Sequence, residues 1–318
     1  MPWAYKSVIL NRREGKPAAR RGARLCNRTK KSKAQQTLEA IKMKNETIYE
    51  MVTNKIIEQL EAGVVPWRKP WRNGGAVNWT TQKAYRGINT MLLNEGEYAT
   101  FKQITAAGGK IKKGSKANIV VFWKWLEKEN DEGKTEKIPL LRYYNVFEIN
   151  TQVEGLESKR KIAEQDHNPI EKCEEIFKGY INSPTYSFTR QGAWYKPSQD
   201  HINVPPMKDF ENVEEYYSTL FHEMAHSTGH HSRLKREGVT VEQINFGDET
   251  YSKEELVAEM TASMLCGVAN IDNCTINNSA SYIKSWLGKL RDDKKLLVSA
   301  ASQAQKASDY ILNIKWEN

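Results

Sequence analysis

The stretch LFHEMAHSTGHH, residues 220–231, holds four of the six histidines in this chain of 318 residues. It contains the pattern H-E-x-x-H, in which His222 and His226 are four positions apart. On an α-helix such residues share a face one turn apart, so both imidazoles can reach one metal ion. Glu223 is rotated by about 100° from His222, where its carboxylate can take a proton from a water held by the metal. We therefore predict His222 and His226 as metal ligands and Glu223 as the catalytic base.

Two histidines leave a catalytic metal site incomplete, and His230 and His231 are one source of a third ligand. The extended pattern H-E-x-x-H-x-x-G-x-x-H has its glycine at Gly229, which we also expect to end the helix. Its last histidine would fall at Ser232, however. A shift of one residue in a tight turn moves an imidazole by several ångströms, so neither histidine is expected to bind the metal.

The other source is a carboxylate on a helix predicted over residues 252–267. Ser252 and Glu255 form a capping box that would start this helix. Glu255 and Glu259 are four positions apart among apolar neighbours, so at least one of them must point inward, where a metal or a ligand histidine would supply the partner that a buried glutamate needs. The alternative interpretation is that both are ordinary surface residues. Glu254 is expected to face solvent.

The positive charge of the chain is concentrated in two regions. The formal net charge is +9, but residues 1–44 carry thirteen Lys and Arg against two Glu, and residues 66–124 carry eleven against two. Concentrated positive charge favours a polyanionic partner, because neutralised phosphates release counterions. An ordinary solvated surface is the alternative interpretation.

The second basic region also contains aromatic residues, a combination typical of proteins that bind single-stranded nucleic acid. It includes VVPWRKPW at 64–71, AYRGIN at 84–89 and GGKIKKGSK at 108–116. We predict single-stranded DNA as a partner, with a place in the core as the alternative for each tryptophan. The predicted DNA contacts are Trp67, Arg68, Lys69, Trp71, Arg72, Tyr85, Arg86, Lys110, Lys112, Lys113 and Lys116.

Composition divides the chain into three segments. Residues 1–43 are rich in charge and poor in apolar residues, which predicts a disordered basic tail, either a nucleic-acid-binding arm or an extension upstream of a start at Met43. Residues 44–156 combine helices with two strands joined by a charged turn. Residues 157–318 are more helical, with a hairpin whose turn is expected at Lys196–Asp200. The prediction is an α+β protein with two domains.

Cysteine usage and hydropathy indicate a cytoplasmic protein without a membrane partner. None of the four cysteines forms a C-x-x-C pair, and a chain of this size does not need disulfides, which favours a reducing compartment. No apolar run approaches the ~20 residues of a membrane span, and no cleavable leader is recognisable at the amino terminus.

Both halves resemble ArdC-type antirestriction proteins of mobile elements. In the carboxy-terminal half, TLFHEMAHSTGHHSRLKR, FGDETYSKEELVAEMTASML and SYIKSWLGKLRDDKKLLVSAASQAQKASDYIL resemble the zincin-like metallopeptidase domain of that family. In the other half, the residues from GVVPWRKPW to RYYNVFEI resemble its single-stranded-DNA-binding domain, which is shared with conjugative primases of the TraC type. The resemblance covers about residues 46–316 and does not extend to residues 1–43.

The resemblance implies that Glu255 is the third metal ligand and that Glu259 supports a ligand histidine. Related zincins have Asp or Asn at the position of Glu259, so an exchange of the two roles stays open. The implied cofactor is one Zn²⁺, or another divalent transition metal such as Mn²⁺, per chain. The strand in DHINVPP, residues 200–206, corresponds to the zincin region where an edge strand could pair with an extended peptide.

The implied function is antirestriction during conjugation, by binding single-stranded DNA and cleaving an unidentified protein substrate or partner. Two alternatives stay open: a DNA-binding protection module with a non-catalytic metal site, and a DNA-activated protease that acts on DNA-bound proteins. The group that stabilises the transition state is equally open among Tyr195, His230, His231 and Tyr251.

Overall fold

The computed structural model describes residues 33–68, 75–129, 135–160, 168–240, 249–273 and 280–315. Its helices are α1 (Lys33–Glu61), α2 (Asn89–Leu92), α3 (Phe101–Ala106), α4 (Ile149–Gln152), α5 (Pro169–Gly179), α6 (Val213–Ser227), α7 (Glu237–Thr240), α8 (Glu249–Ala269), α9 (Ala280–Asp292) and α10 (Leu296–Ile311). Its strands are β1 (Ala76–Asn78), β2 (Gly96–Thr100), β3 (Lys110–Ile111), β4 (Asn118–Glu129), β5 (Thr135–Glu148), β6 (Val153–Glu154), β7 (Thr185–Ser187), β8 (Trp194–Lys196) and β9 (His201–Asn203).

Helix α1 begins earlier than the sequence indicated. Residues 33–43, assigned to a disordered tail, form its first turns, and residues 1–32 lie outside the described part of the chain. The segment contains Ala, Leu, Gln and Lys and neither Gly nor Pro, so its helical preference is high although it is polar. The helix ends before Gly63, whose φ of +79° is accessible to glycine at little cost.

The amino-terminal half is built on a four-stranded sheet in the order β1-β2-β5-β4. Strands β4 and β5 are antiparallel, as predicted, with Val121 opposite Tyr143, while the charged turn at 130–134 lies outside the described residues. The outer edge of β4 is covered by Asn89, whose side chain accepts from Val121 N at 2.7 Å and donates to Val121 O at 2.8 Å. The Asn89 side chain thus forms hydrogen bonds with the backbone N–H and C=O of Val121, with which another strand could otherwise pair.

The carboxy-terminal half contains a three-stranded sheet in the order β7-β9-β8. The predicted hairpin is confirmed: β8 and β9 are antiparallel, and Asp200 turns the chain with a φ of +44°. The expectation that the DHINVPP strand is an edge is wrong, because β9 pairs with β7 on one side and β8 on the other. The edge strands of this sheet are β7 and β8.

Helices α6 and α8 pack together and carry the metal-ligand candidates. The predicted start of α8 at Ser252 is wrong, because the helix already includes Glu249 and Ser252 lies buried inside it. Residues 241–248, which precede Glu249, lie outside the described part of the chain.

The predicted α+β fold is confirmed, and the two halves share one hydrophobic core. Buried residues of α1, such as Val52 and Ile56, belong to the same cluster as Leu256 of α8 and Leu297 of α10. Residues 40–318 accordingly form one compact unit. In the described part of the chain, no helix is long and apolar enough to cross a membrane.

Candidate metal centre

Three metal-binding side chains converge where α6 faces α8. The Nε2 atoms of His222 and His226 lie 3.1 Å apart. Glu255 of α8 places one carboxylate oxygen 3.6 Å from His222 Nε2 and the other 3.6 Å from His226 Nε2. Within the described ranges, this is the one group of three or more such residues whose ligand atoms all lie within 4.8 Å of one another.

The spacing of these donors fits a single divalent ion. Zn–N bonds of 2.0–2.1 Å in a tetrahedral site put neighbouring donors about 3.3 Å apart. The observed separations of 3.1 and 3.6 Å lie on either side of that value. Two imidazole Nε2 atoms at this distance also need a cation or a shared proton between them, because two lone pairs would repel.

His226 is held by Glu254, which was expected to face solvent. Glu254 is only 5% exposed, and its Oε1 lies 3.3 Å from His226 Nδ1. A proton on Nδ1 leaves the lone pair of Nε2 free for a metal. Burial alone would raise the pKa of Glu254, but hydrogen bonds from Arg236 and His226 hold it below its usual value. For His226 this support comes from Glu254, whereas Glu259 lies close enough to His222 to interact with its charge.

Arg236 ties this support to the end of helix α6. Its guanidinium donates to Glu254 through Nε and an Nη atom, at 2.8 and 2.6 Å, and also to Thr228 Oγ1 and Ala225 O, at 2.6 and 2.8 Å. The positive charge lies beside the carbonyls at the C-terminal end of α6, where the helix dipole favours a cation. The helix ends at Ser227, two residues before the Gly229 that the sequence indicated.

Gly229 is required by close packing rather than by a special backbone angle. A Cβ atom at this position would lie 2.5 Å from the Val239 side chain and 3.0 Å from an Nη atom of Arg236. The glycine therefore lets the segment carrying Arg236 fold back over the end of α6.

Glu259 contacts Trp67 and Tyr282. Its Oε2 accepts hydrogen bonds from Trp67 Nε1 at 3.1 Å and from the Tyr282 hydroxyl at 2.5 Å. The prediction of Trp67 as a DNA contact is wrong, because its side chain is 0% exposed and packs edge-on against Trp286, with ring centroids 5.9 Å apart. A buried indole with its N–H bonded cannot stack on a base.

Carboxylates surround His226. Burial alone would lower its pKa, but Glu254, Glu255 and Glu223 together raise it to about 9. Glu223 follows His222 on α6, is 8% exposed, and lies close enough to His226 to contribute to that field. Concentrated negative charge around two imidazoles favours a bound cation.

Tyr195, a candidate transition-state stabiliser, is already engaged. Its hydroxyl donates to Asp200 at 2.9 Å, and Asp200 also pairs with Arg233. Burial would raise the pKa of Asp200, but hydrogen bonds from Arg233 and Tyr195 lower it. The cluster fixes the turn between β8 and β9.

The remaining candidates differ in what they contact. His230 is buried, with Nδ1 2.8 Å from the Ser232 hydroxyl, and its ring lies against that of His231, with centroids 3.9 Å apart. His231 is exposed, and the side chain of Tyr251 lies outside the description.

The other predicted DNA contacts occupy varied environments. Tyr85 is 8% exposed and packs edge-on against Tyr98, so only the edge of its ring can reach a ligand. Arg86 forms an ion pair with Asp309. Arg68, Lys110, Lys113 and Lys116 are exposed, while Lys112 is partly buried and donates to Thr151 O at 3.0 Å. Lys69, Trp71 and Arg72 lie outside the described residues.

Two family models match the two halves of the chain. The model for the N-terminal domain of anti-restriction factor ArdC matches residues 46–147, and that for a zincin-like metallopeptidase matches residues 172–303. The Escherichia coli protein named DNA primase TraC is 35% identical over 294 residues, and a second of that name is 34% identical over 300. Each match covers 83% of this chain but only 20% and 27%, respectively, of those longer proteins.

Other relatives match along nearly their whole length. The Sinorhizobium fredii protein y4eC is 32% identical over 286 residues, which cover 83% of this chain and 91% of that protein. The metal-free crystal structure of the antirestriction ArdC protein from the R388 plasmid is 35% identical, with a TM-score of 0.64, and the match covers 83% of this chain and 96% of that one. Its Mn(II)-bound structure gives a TM-score of 0.67 at 32% identity, with coverages of 83% and 97%. With both family models in place and an ArdC protein matched almost end to end, this chain belongs to the family of ArdC antirestriction proteins.

Proposed function

We propose that this chain binds single-stranded DNA through its amino-terminal half and cleaves peptide bonds at the centre formed by His222, His226 and Glu255. The observation that carries the proposal is the convergence of these three donors beside Glu223. A zincin-like carboxy-terminal half and a Mn(II)-bound relative support a divalent metal, which we propose to be Zn²⁺ or another transition metal such as Mn²⁺. Such an ion would supply Lewis acidity at the scissile carbonyl and acidify water.

The side chains around the centre have distinct parts in the proposed reaction. Glu223 accepts the proton of the attacking water and delivers it to the leaving amine. Glu254 keeps Nδ1 of His226 protonated, and Arg236 holds Glu254 in place. An extended substrate would align along β8, the edge strand that packs against α6, through main-chain hydrogen bonds.

DNA binding by the other half is supported by its match to the ArdC N-terminal domain and by the likeness to TraC primases. Exposed lysines at 110, 113 and 116 lie in the glycine-containing segment 108–116, at the start of β3 and in the loop after it, where they have no role in the core. Cations on such a loop can contact phosphates whatever the base sequence.

A DNA-activated protease is a second candidate, favoured by the bond between Trp67 and Glu259. Trp67 lies in the Pro66–Arg68 turn, directly before the basic segment 68–72, and Glu259 lies one helical turn after Glu255. A shift of this turn on DNA binding would therefore act on the helix that carries a metal ligand.

Proteolysis assays with matched variants test the proposed activity. Casein and the chain itself serve as probe substrates, with and without single-stranded DNA, for the wild type, Glu223→Gln, and a Glu214→Gln control near the start of the same helix. We expect the wild type to cleave, Glu223→Gln to retain metal and DNA binding but lose cleavage, and Glu214→Gln to match the wild type. Cleavage by Glu223→Gln at the wild-type rate would refute the assignment of the base. A wild type that holds metal and binds DNA but cleaves neither probe would favour a protection module with a non-catalytic metal.

A further inference from the structure

A cavity of about 690 Å³ lies apart from the metal-binding side chains, between the amino-terminal sheet and α10. One wall is the segment 78–87, the second is the edge of β4 at Val121 and Phe122, and the third is formed by Ser302, Gln305 and Lys306 of α10. Its exposed lining is mostly apolar. Cavities of this size hold small organic ligands, and a nucleobase with its sugar is smaller than most of them.

The walls of the cavity are fixed by contacts between the two halves. Gly87 N donates to Gln305 Oε1 at 2.9 Å, and Arg86 forms an ion pair with Asp309. Gly87 has a φ of +56°, so the backbone turns there in a conformation that other residues adopt only with strain. These contacts join the two halves around the cavity and limit the movement of its walls.

An aromatic side chain stands at the mouth of the cavity. Phe122 is 47% exposed, which is unusual for a phenylalanine in the middle of a strand. Its ring lies 6.3 Å from that of Tyr85 inside the cavity and 5.8 Å from that of Tyr144 outside it. Tyr144 is itself 43% exposed, so a second exposed ring, inclined by 69° to that of Phe122, lies on β5 next to the cavity.

The rim of the cavity is cationic. Lys83 and Lys306 are exposed and lie on opposite walls, and Arg86 is balanced by Asp309. Among the described residues that line the cavity, none is acidic. An apolar floor with aromatic rings below a cationic rim matches the two parts of a nucleotide, a flat base and an anionic phosphate.

We propose that this cavity takes one unpaired base of single-stranded DNA, with the base against Phe122 and the flanking phosphates at Lys83 and Lys306. The adjacent base would stack on the ring surface of Tyr144. This site rests on the proposed DNA-binding function. It adds a nucleotide-binding position that lies outside both the lysine loop at 108–116 and the Pro66–Arg68 turn.

The charge and shape of the cavity favour this occupant over two others. An apolar protein side chain would fill the floor but leave both rim lysines without an anion. Duplex DNA would present phosphates, but its bases are paired and stacked and could not enter. An unpaired nucleotide satisfies the floor and the rim together.

The test measures binding of the full chain to a fluorescently labelled oligothymidylate by anisotropy over a range of salt concentrations. We compare Phe122→Ala and Phe122→Leu with Phe188→Ala, a control at a phenylalanine of matching exposure, 44%, in the other half. Both changes at Phe122 should weaken binding about tenfold, because leucine keeps apolar volume but offers no ring for stacking. Lys306→Gln should lower the slope of log K against log salt by about one, and Phe188→Ala should change nothing. Thermal unfolding of each variant shows whether it is folded.

The results distinguish failure of the cavity as a binding site from failure of DNA binding by the chain as a whole. If the wild type binds the oligonucleotide and folded Phe122→Ala and Phe122→Leu bind equally well, the cavity is not the site, although DNA binding stands. If the wild type does not bind at all, DNA binding fails and the site fails with it. Photocrosslinking with 5-iododeoxyuridine gives a positive readout: adducts at Tyr85, Phe122 or Tyr144 support the site, and adducts confined to the lysine loop overturn it.

Discussion

Glu254 should control metal affinity more strongly than Glu259, although the sequence resemblance favours Glu259. The perturbation is Glu254→Gln, with Glu259→Gln as the matched control on the same helix. Glutamine keeps the size of the side chain but removes its charge and turns one oxygen into an N–H₂ group. In the wild type, the Glu254 oxygens lie 2.6–2.8 Å from the Arg236 guanidinium and 3.3 Å from His226 Nδ1. The new N–H₂ group would face one of these two donors and could not accept its hydrogen bond.

The magnitude follows from these contacts. Loss of a carboxylate that supports a metal-binding histidine typically reduces metal affinity 10- to 100-fold, or about 1.4–2.7 kcal/mol. The same change leaves Arg236 buried without its counter-ion, at a cost of about 3 kcal/mol in the free energy of unfolding of the metal-free protein. Glu259→Gln changes a group bonded to Trp67 and Tyr282, so its effect on metal affinity should be less than about threefold.

The assay is competition for Zn²⁺ against a fluorescent chelator, combined with urea unfolding of the metal-free chain. The reasoning is refuted if Glu259→Gln weakens Zn²⁺ binding more than Glu254→Gln does. It is also refuted if Glu254→Gln binds Zn²⁺ as tightly as the wild type while remaining folded.

Three further outcomes follow from other contacts. Trp67→Phe keeps an aromatic ring in the core but removes the bond to α8, so the free energy of unfolding should fall by about 1–3 kcal/mol in urea titrations; an unchanged value would show that the bond is not formed. Replacing Lys110, Lys112 and Lys113 by alanine should weaken binding to single-stranded DNA alike for all sequences and flatten its salt dependence, and an unchanged salt slope would remove the loop from the interface. The lowered pKa of Asp200 means that its contribution to stability is complete above the unfolded-state pKa, about 4, and is lost as the pH falls through the lower folded-state value. Asp200→Asn should therefore unfold with a weaker pH dependence below pH 4 than the wild type, and equal slopes would contradict this.

The central pattern of the metal centre could be predicted because it is local. Four-residue spacing on one helix brings His222 and His226 together whatever the rest of the fold does. Glu255 needed more than spacing, because the sequence predicted only a helix on which at least one of Glu255 and Glu259 points inward. The family resemblance selected Glu255 as the ligand. The structure brings Glu255 to the two histidines.

The supporting contacts could not be predicted, because they depend on how distant elements pack. Whether Glu254 or Glu259 meets His226 depends on the rotation of α8 against α6, because helical positions five apart differ by about 140° around the axis. Trp67 looked like a base-stacking residue because its neighbours are cationic, yet Tyr282 and Trp286 of α9, more than 200 positions later, enclose it. The cavity beside Phe122 could not be predicted, because residues of α10, about 180 positions later in the chain, form one of its walls.

Elemental analysis of the purified chain measures whether His222, His226 and Glu255 hold a metal ion. Inductively coupled plasma mass spectrometry on the wild type, His226→Ala and Glu255→Ala, each dialysed against the same trace of Zn²⁺, gives the number of metal ions per chain. We expect about one ion in the wild type and far less in both variants, because each variant loses one of three converging donors. A wild type without bound metal, or a Glu255→Ala protein that retains a full ion, would contradict the account.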